Sequence, residues 1–355
     1  MSNPLQPGAV IGILGGGQLG RMLSMAAARL GFVTHIFEPG ANPPADQVAH
    51  RVTTAPYEDA EALAAFAQSV DVITYEFENI PTEALDVLES HRPIRPGREA
   101  LRVSQDRLTE KTFLQGLDLN TAPFADVTDL DSLQAAIERI GTPAILKTRR
   151  FGYDGKGQAR LKSPEDAQAA LADMQGAPAI LEGFVNFSHE VSIIAARGLD
   201  GQVACFDLGE NVHRDGILHT TTVPARLSPA LRTDAVLLAA NILNALDYVG
   251  VMGVELFVTP QGLIVNEIAP RVHNSGHWTQ NGCAVDQFEQ HIRAVAGWPL
   301  GDGQRHADVV MENLIGDDMD RVPELAQQRD VALHLYGKAE VKPGRKMGHF
   351  NRIKR

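Results

Sequence analysis

GVELFVTPQGLIVNEIAPRVHNSGHW, residues 253–278, sets two apolar runs on either side of Pro260, Gln261 and Gly262. Runs rich in Val, Ile, Leu and Phe around a Pro/Gly turn read as a β-hairpin. Two registers are open. A three-residue loop with Gly262 in the left-handed region pairs Thr259 with Leu263 and, counting back, sets Glu255 opposite Glu267. A two-residue loop puts the two carboxylates on opposite faces. In the first register two like charges oppose each other among apolar neighbours, which is destabilising unless a cation lies between them. Two carboxylates together with phosphate oxygens are typical hard ligands for Mg²⁺. Arg271, His273, Asn274, Ser275 and His277 follow directly, more donors than a plain connection needs.

Upstream, ILKTRRFGYDGKGQ, residues 145–158, ends a strand-like run in Lys147 and continues into a loop holding Gly152, Gly155 and Gly157. An ammonium closing an apolar strand needs a partner. Successive glycine amides can line a polyphosphate as an anion nest. Taken alone, the residues read slightly better as a solvated loop with Lys147 snorkelling. The spacing is not that of a Walker A loop. The glycine content predicts a mobile loop when no nucleotide is present.

At the other end, AVIGILGGGQLGRMLSMAAARLGFVTHIFEPG reads strand, glycine turn, helix, strand, with Leu19, Met22, Leu23, Ala26, Ala27 and Leu30 at helical spacing. EDAEALAAFAQSV and DVITYEFEN continue the alternation, which predicts a doubly wound parallel α/β unit. GGGQLG, Gly15 to Gly20, fits G-x-G-x-x-G, and Glu38 ends the second strand. That pair suits a dinucleotide, and it suits a bare strand–helix turn as well. Prolines and charges near RPIRPGREALRVSQDR mark a boundary. The resulting division is an N-terminal α/β unit over 1–107, a small α+β lid over 108–189 and a C-terminal unit of antiparallel character over 190–355.

Of the 355 residues, 44% are hydrophobic and 21% charged, which is globular composition. The net charge of -12 argues against a nucleic-acid footprint. No run approaches the roughly 18 apolar residues of a membrane span, and the N-terminus lacks the pattern of a signal peptide. Cys205 and Cys283 have no metal-ligand spacing, and free thiols in a reducing cytoplasm are expected.

Taken in order, ILKTRRFGYDGKGQ, LEGFVNFSHEVSII, ENVHRDGIL, GVELFV and VNEIAPRVHNSGHW resemble the ATP-grasp superfamily, and within it the ATP-dependent carboxyaminoimidazole ribonucleotide synthetases of purine synthesis. The likeness runs from ILGGGQLGRM through RKMGH. It implies an ATP-grasp fold behind the doubly wound domain, with ATP, Mg²⁺ (or Mn²⁺), bicarbonate and an aminoimidazole ribotide as ligands, and a homodimer. It implies nucleotide contacts at Arg107, Lys147, His213 and the loop Gly152, Tyr153, Asp154, Gly155, Lys156, Gly157 and Gln158. It places the adenine hinge at Glu182, Gly183, Phe184 and Val185, and the ribose carboxylate at Glu190. Glu255 and Glu267 become the metal ligands, with Asn266 beside them. Arg271, His273 and Asn274 match the bicarbonate and carboxyphosphate site. Gln18, Glu76, Tyr153, Asp154, Lys338 and Arg345 match the ribotide site, with Asp154 and Lys338 also close to the chemistry.

Two departures stand out. Val272 replaces a proline usual in the family, which predicts a looser loop. The chain stops soon after RKMGH, which leaves the pairing of the last strand and the dimer contacts open. Three rival readings remain: an NAD-dependent oxidoreductase built on GGGQLG and Glu38, a formate-using glycinamide ribonucleotide transformylase, and a nucleotide-binding regulatory protein.

Overall fold

The computed structural model describes residues 3–152 and 156–354. Strands β1 (Val10–Leu14), β2 (Val33–Phe37), β3 (Arg51–Thr53) and β4 (Val72–Tyr75) form a parallel sheet in the order β3-β2-β1-β4. This is the doubly wound unit expected, with a three-residue strand added at its edge. Helix α1 (Gln18–Arg29) buries Leu19, Met22, Leu23, Ala26 and Ala27, the predicted stripe. Gly31 follows its end at φ +79, a conformation that costs a glycine nothing. Helix α2 (Ala60–Gln68) starts on Asp59, whose side chain accepts from Ala62 N. Helices α3 (Thr82–Glu89) and α4 (Arg98–Ser104) complete the unit, so the segment read as a boundary carries helix.

Helix α5 (Arg107–Gly116), capped by Asp106, leads to a second, antiparallel sheet. Its strands are β5 (Phe124–Val127), β6 (Ala144–Thr148), β7 (Gln158–Leu161) and β8 (Ala179–Gly183), ordered β5-β8-β6-β7. Helices α6 (Leu130–Ile140) and α7 (Ala167–Asp173) bury Leu133, Ala136, Ile137 and Ala170 in the core of this sheet.

The third sheet has nine strands: β9 (His189–Arg197), β10 (Val203–Cys205), β11 (Gly209–Arg214), β12 (Ile217–Val223), β13 (Gly250–Thr259), β14 (Gly262–Ala269), β15 (Asp308–Ile315), β16 (Val331–Leu335) and β17 (Lys346–Lys354). The order is β14-β13-β9-β11-β12-β15-β17-β16, with β10 pairing β9. The last strand is therefore no edge, because β17 lies between β15 and β16. Helices α8 (Pro229–Ala245), α9 (Thr279–Gly282), α10 (Gln287–Ala296) and the short α11 (Val322–Leu325) belong to this unit.

The outer units are not independent bodies. Leu19, Met22, Leu23 and Ala26 of α1 share one core with Phe288, Ile292 and Val295 of α10. Each such large side chain, when fully buried, contributes about 1.5–3 kcal/mol. Arg29 pairs with Asp286 at 2.7 Å, and Leu5 N donates to Ala296 O at 2.9 Å.

Candidate functional site

The hairpin β13–β14 takes the two-residue register, yet it brings the carboxylates together. Thr259 pairs with Gly262, Val258 with Leu263 and Leu256 with Val265, the alignment of a two-residue loop. A β-bulge then intervenes, and Glu255 pairs with Glu267. The extra residue is Asn266. A bulge sets two residues against one and returns the following side chains to the other face. The three-residue loop is thus wrong and the opposition of the two glutamates right.

Two side chains of α5 hold the bulge. Lys111 Nζ donates to Asn266 O at 2.6 Å, and Ile268 N donates to Glu110 Oε1 at 2.6 Å. Both are almost fully buried, at 1% and 2% exposure. Burial pushes the Lys111 ammonium down from its usual value, against Glu182 and Glu110. Burial pushes Glu110 up to about 8.

Glu255 and Glu267 face a cavity of about 850 Å³. It is also lined by Gln18, Glu76, Arg107, Lys147, Gly152, Lys156, Gln158, Glu190, His213, Asn266, Arg271, His273 and Asn274, so most expected site residues converge. Burial and the neighbouring Glu267 push Glu255 up to about 8. Burial would raise Glu267 too, but Arg107, 3.2 Å away, and Lys147 hold it below the usual carboxylate range. Glu190, His213 and Glu255 bring ligand atoms within 4.8 Å of one another. Glu190 pairs with His213 at 3.1 Å and, against burial, holds the imidazolium above its usual range. A site with two opposed carboxylates and a third beside them fits a hard divalent cation.

Lys147 Nζ lies 2.9 Å from Glu182 Oε2. Burial raises Glu182, and Lys147 and Lys111 outweigh it, so the carboxyl stays low. The Glu182 side chain is thus turned to Lys147 and Lys111, which leaves its backbone for the role the expected hinge gives it. Gly183 N donates to Pro123 O at 2.8 Å and Phe184 N to Pro143 O at 3.2 Å. The hinge amides before Val185 are occupied by the fold, leaving carbonyls and Val185 itself. Ile145, Phe187, Phe257 and Ile268 give the cavity an apolar wall, where Phe187 and Phe257 stack at 4.5 Å.

The loop after β14 is clamped. Val272 is fully buried in the core shared with α1 and α10, so the expected looseness is not found. His273 N donates to Gln287 Oε1 at 2.9 Å and Gln287 Nε2 to His273 O at 2.8 Å. Arg271 Nε pairs with Glu78 at 2.8 Å. The side-chain amide of Asn274 is buried beside the cavity with no hydrogen-bond partner for either atom among the described residues. An unsatisfied buried amide costs about 1–3 kcal/mol, so it is a place for a ligand oxygen.

The N-terminal glycine turn is filled by the chain's own acids. Gly16 N donates to Glu38 Oε2 at 2.7 Å and Gly17 N to Glu76 Oε1 at 2.5 Å. Those amides are the ones a dinucleotide pyrophosphate would take. The dinucleotide reading of GGGQLG fails on that ground. Burial first of all pushes Glu76 up to about 7.

Near the C-terminus, Lys338 Nζ donates to Lys346 O at 2.6 Å. Arg345 Nη1 donates to Glu340 O at 3.1 Å. Neither side chain lines the cavity, whereas Lys346 does. Tyr153, Asp154 and Gly155 lie outside the described residues.

The sequence reading passed over Lys346, Glu78, Glu110, Lys111 and Gln287. The last three had one available signal, polar residues at core positions of α5 and α10, but each also reads as part of a solvated helix face.

Three family models match in order: the ribonucleotide synthetase preATP-grasp domain over residues 9–105, the ATP-grasp domain over 112–288 and the phosphoribosylaminoimidazole carboxylase C-terminal domain over 309–355. The chain is 58% identical over 353 residues to N5-carboxyaminoimidazole ribonucleotide synthase of Brucella melitensis, covering 99% of this chain and 98% of the relative. Among solved structures, N5-carboxyaminoimidazole synthetase of Staphylococcus aureus complexed with ADP is 39% identical at a TM-score of 0.95, covering 99% and 95% of the two chains. N5-carboxyaminoimidazole synthase of Aspergillus clavatus, in complex with ADP and 5-aminoimidazole ribonucleotide, is 31% identical at a TM-score of 0.92, covering 98% and 94%.

Proposed function

The chain belongs to the N5-carboxyaminoimidazole ribonucleotide synthase family of ATP-grasp ligases, and from that premise we propose which of its residues carry the reaction. It is an ATP-dependent carbon–nitrogen ligase of purine biosynthesis that makes N5-carboxyaminoimidazole ribonucleotide from 5-aminoimidazole ribonucleotide. Bicarbonate is the carboxyl source in this proposal. One of its oxygens attacks the γ-phosphorus, the bond to the bridging oxygen breaks, and ADP leaves carboxyphosphate behind. Carboxyphosphate, or the CO₂ it releases, then carboxylates the ribotide amine with loss of phosphate and a proton.

The observation that carries this reading is the bulge at Asn266, which sets Glu255 opposite Glu267 beside Lys147 and the unpartnered amide of Asn274. Glu255 and Glu267 would hold Mg²⁺ or Mn²⁺, which when bound screens the charge on the phosphates. Lys147 exchanges Glu182 for the transferring phosphate, and preorganised cations there stabilise charge as it develops. Adenine takes the apolar wall of Ile145, Phe187, Phe257 and Ile268 and is read by carbonyls of the hinge and by Val185. Glu190 and His213 meet the ribose. Arg271, His273 and Asn274 orient bicarbonate and hold the anhydride. Gln18, Glu76, Lys338 and Arg345 bind the ribotide, with Tyr153 and Asp154 assigned there by likeness alone. By that likeness the chain works as a cytoplasmic homodimer. No helix among the described residues is long and apolar enough to cross a membrane, and both cysteines are free thiols.

The test is ADP release with bicarbonate or ribotide omitted in turn. ADP should appear stoichiometrically only with both present. Formate replacing bicarbonate at full rate would move the chain to the formate-using reading.

Arg345→Ala should weaken ribotide binding roughly 10- to 150-fold, since a charge-assisted hydrogen bond is worth about 1.5–3 kcal/mol. ATP affinity should stay unchanged, because Lys147, the glycine loop and the carboxylates are untouched. Both affinities are measured by calorimetry on folded protein. If Lys346→Met produces the loss and Arg345→Ala does not, the phosphate is held from the cavity side and this assignment of Arg345 fails.

A further inference from the structure

Behind His273 runs a chain of buried side-chain hydrogen bonds that neither the fold nor the substrates account for. It starts on β12, where Thr221 Oγ1 donates to Asn211 Oδ1 at 2.8 Å. Asn211 Nδ2 donates to Ser192 Oγ at 3.0 Å. Ser192 Oγ donates to Ser275 Oγ at 2.7 Å, and Ser275 Oγ lies 2.8 Å from His273 Nδ1. The first two steps each cross to the neighbouring strand, since Thr221 pairs with Asn211 and β11 adjoins β9, and the third leaves β9 for the loop that follows β14. All four relay residues are buried, from 0% exposure for Thr221 and Ser275 to 6% for Asn211. Ser192 lies on the strand face that carries Glu190 before it and Ile194 and Ala196, both in the core, after it.

The direction of the chain follows from counting protons. A hydroxyl carries one donor hydrogen and two lone pairs. Ser192 receives the Asn211 amide and so gives its proton to Ser275. Ser275, having accepted, has its own proton to give to His273 Nδ1. The backbone N–H of Ser275 also points at Nδ1, at 3.4 Å. Flipping the Asn211 amide would reverse every hydroxyl and put a proton on Nδ1. That proton would then face the Ser275 N–H, donor against donor. Nδ1 is thus an acceptor. A neutral imidazole carries one proton, which leaves it on Nε2. Nε2 lies 3.2 Å from Glu255 Oε1, at the cavity.

We infer that His273 serves the reaction as a hydrogen-bond donor through Nε2–H, and that Ser275, Ser192, Asn211 and Thr221 are positioning residues that hold it in this tautomer. The inference rests on the placement of His273 at the carboxyphosphate site made above. It gives the ring a role for the relay to protect: an N–H directed at Glu255 or at an anhydride oxygen, and no lone pair on Nε2 with which to take a proton.

The experiment is ¹⁵N NMR of the intact protein with histidine labelled selectively, His273 being assigned by the loss of its signals in His273→Gln. In the unmodified protein the ring should show a protonated Nε2 and a bare Nδ1. A protonated Nδ1 would overturn the inference without recourse to any variant. Ser275→Ala should mix the tautomers and lower kcat about tenfold, the worth of one hydrogen bond of about 1.4 kcal/mol, with KM for ATP unchanged. Thr221→Val keeps volume and removes only the hydroxyl, so it should act in the same direction and less strongly. A packing role would leave the Thr221→Val ring signals as they were, and a single Nε2–H tautomer with full kcat in Ser275→Ala would refute the relay. If His273→Gln keeps bicarbonate-dependent turnover, the site reading falls and this inference with it. A protonated Nδ1 in a protein that needs His273 removes this inference alone.

Discussion

Glu267→Gln should leave the protein folded and reduce turnover on the order of 10³-fold at fixed Mg²⁺, because a metal's charge stabilisation is worth several kcal/mol and 1.36 kcal/mol is tenfold in rate. Gln nearly matches Glu in shape, can still accept from Arg107 through its amide oxygen, and leaves intact the bulge at Asn266 with its ties to Lys111 and Glu110. The amide removes one of two opposed carboxylates and so weakens a cation's hold on the pair. It also gives up the charge that Arg107 and Lys147 stabilise, so the variant should stay folded but melt somewhat lower than the parent. Three measurements separate the effects: melting temperature, Mn²⁺ binding followed by EPR with ADP present, and kcat across a Mg²⁺ titration. Near-normal turnover at limiting Mg²⁺, or unchanged Mn²⁺ binding, would sink the metal assignment of this pair.

Lys111→Met should cost about 3–5 kcal/mol of stability, the usual penalty for removing one partner from a buried ionic group. The methionine fills the space but offers nothing to the Asn266 carbonyl, and it leaves Glu182 with Lys147 alone. Lys111 lies 3.8 Å from Glu182, so one ammonium ties the bulge of β14 to strand β8 of the lid sheet. The loss should appear as a lower urea midpoint with an unchanged m-value. A double variant with Glu182→Gln should be less unstable than the sum of the two singles, since they share a partner. A midpoint equal to the parent's would mean that water reaches the carbonyl and that Lys111 does not hold the bulge.

The parts of the fold readable from sequence are those with local causes. The stripe of α1 and the glycine after it each lie within a few residues of the element they set. The site was readable where its residue types are costly in any other role, as with the donors that follow β14, whereas Lys147 at its strand end gained a role only from the ordered set of motifs. The bulge was not, because what stabilises it sits 155 residues away in α5. Glu110 and Lys111 look like solvated charges until α5 is laid against β14. Gly16 and Gly17 likewise pointed to a cofactor only while Glu38 and Glu76 had no positions. The relay to His273 is the extreme case: Ser192, Asn211 and Thr221 are each unremarked in a strand and acquire meaning only from the strand order.

The core shared by α1 and α10 bears on how the chain comes to be made. Domains of a growing polypeptide generally close in order from the N-terminus. Here the first helix cannot bury Leu19, Met22 and Leu23 fully until Phe288, Ile292 and Val295 have left the ribosome, nor can Leu5 find the Ala296 carbonyl. The nascent N-terminal sheet therefore waits, half-covered, through the synthesis of the lid and most of the large sheet. A stalled chain ending before Gln287 should show that exposed helix face to a chaperone or a protease, and one extended past Trp298 should not.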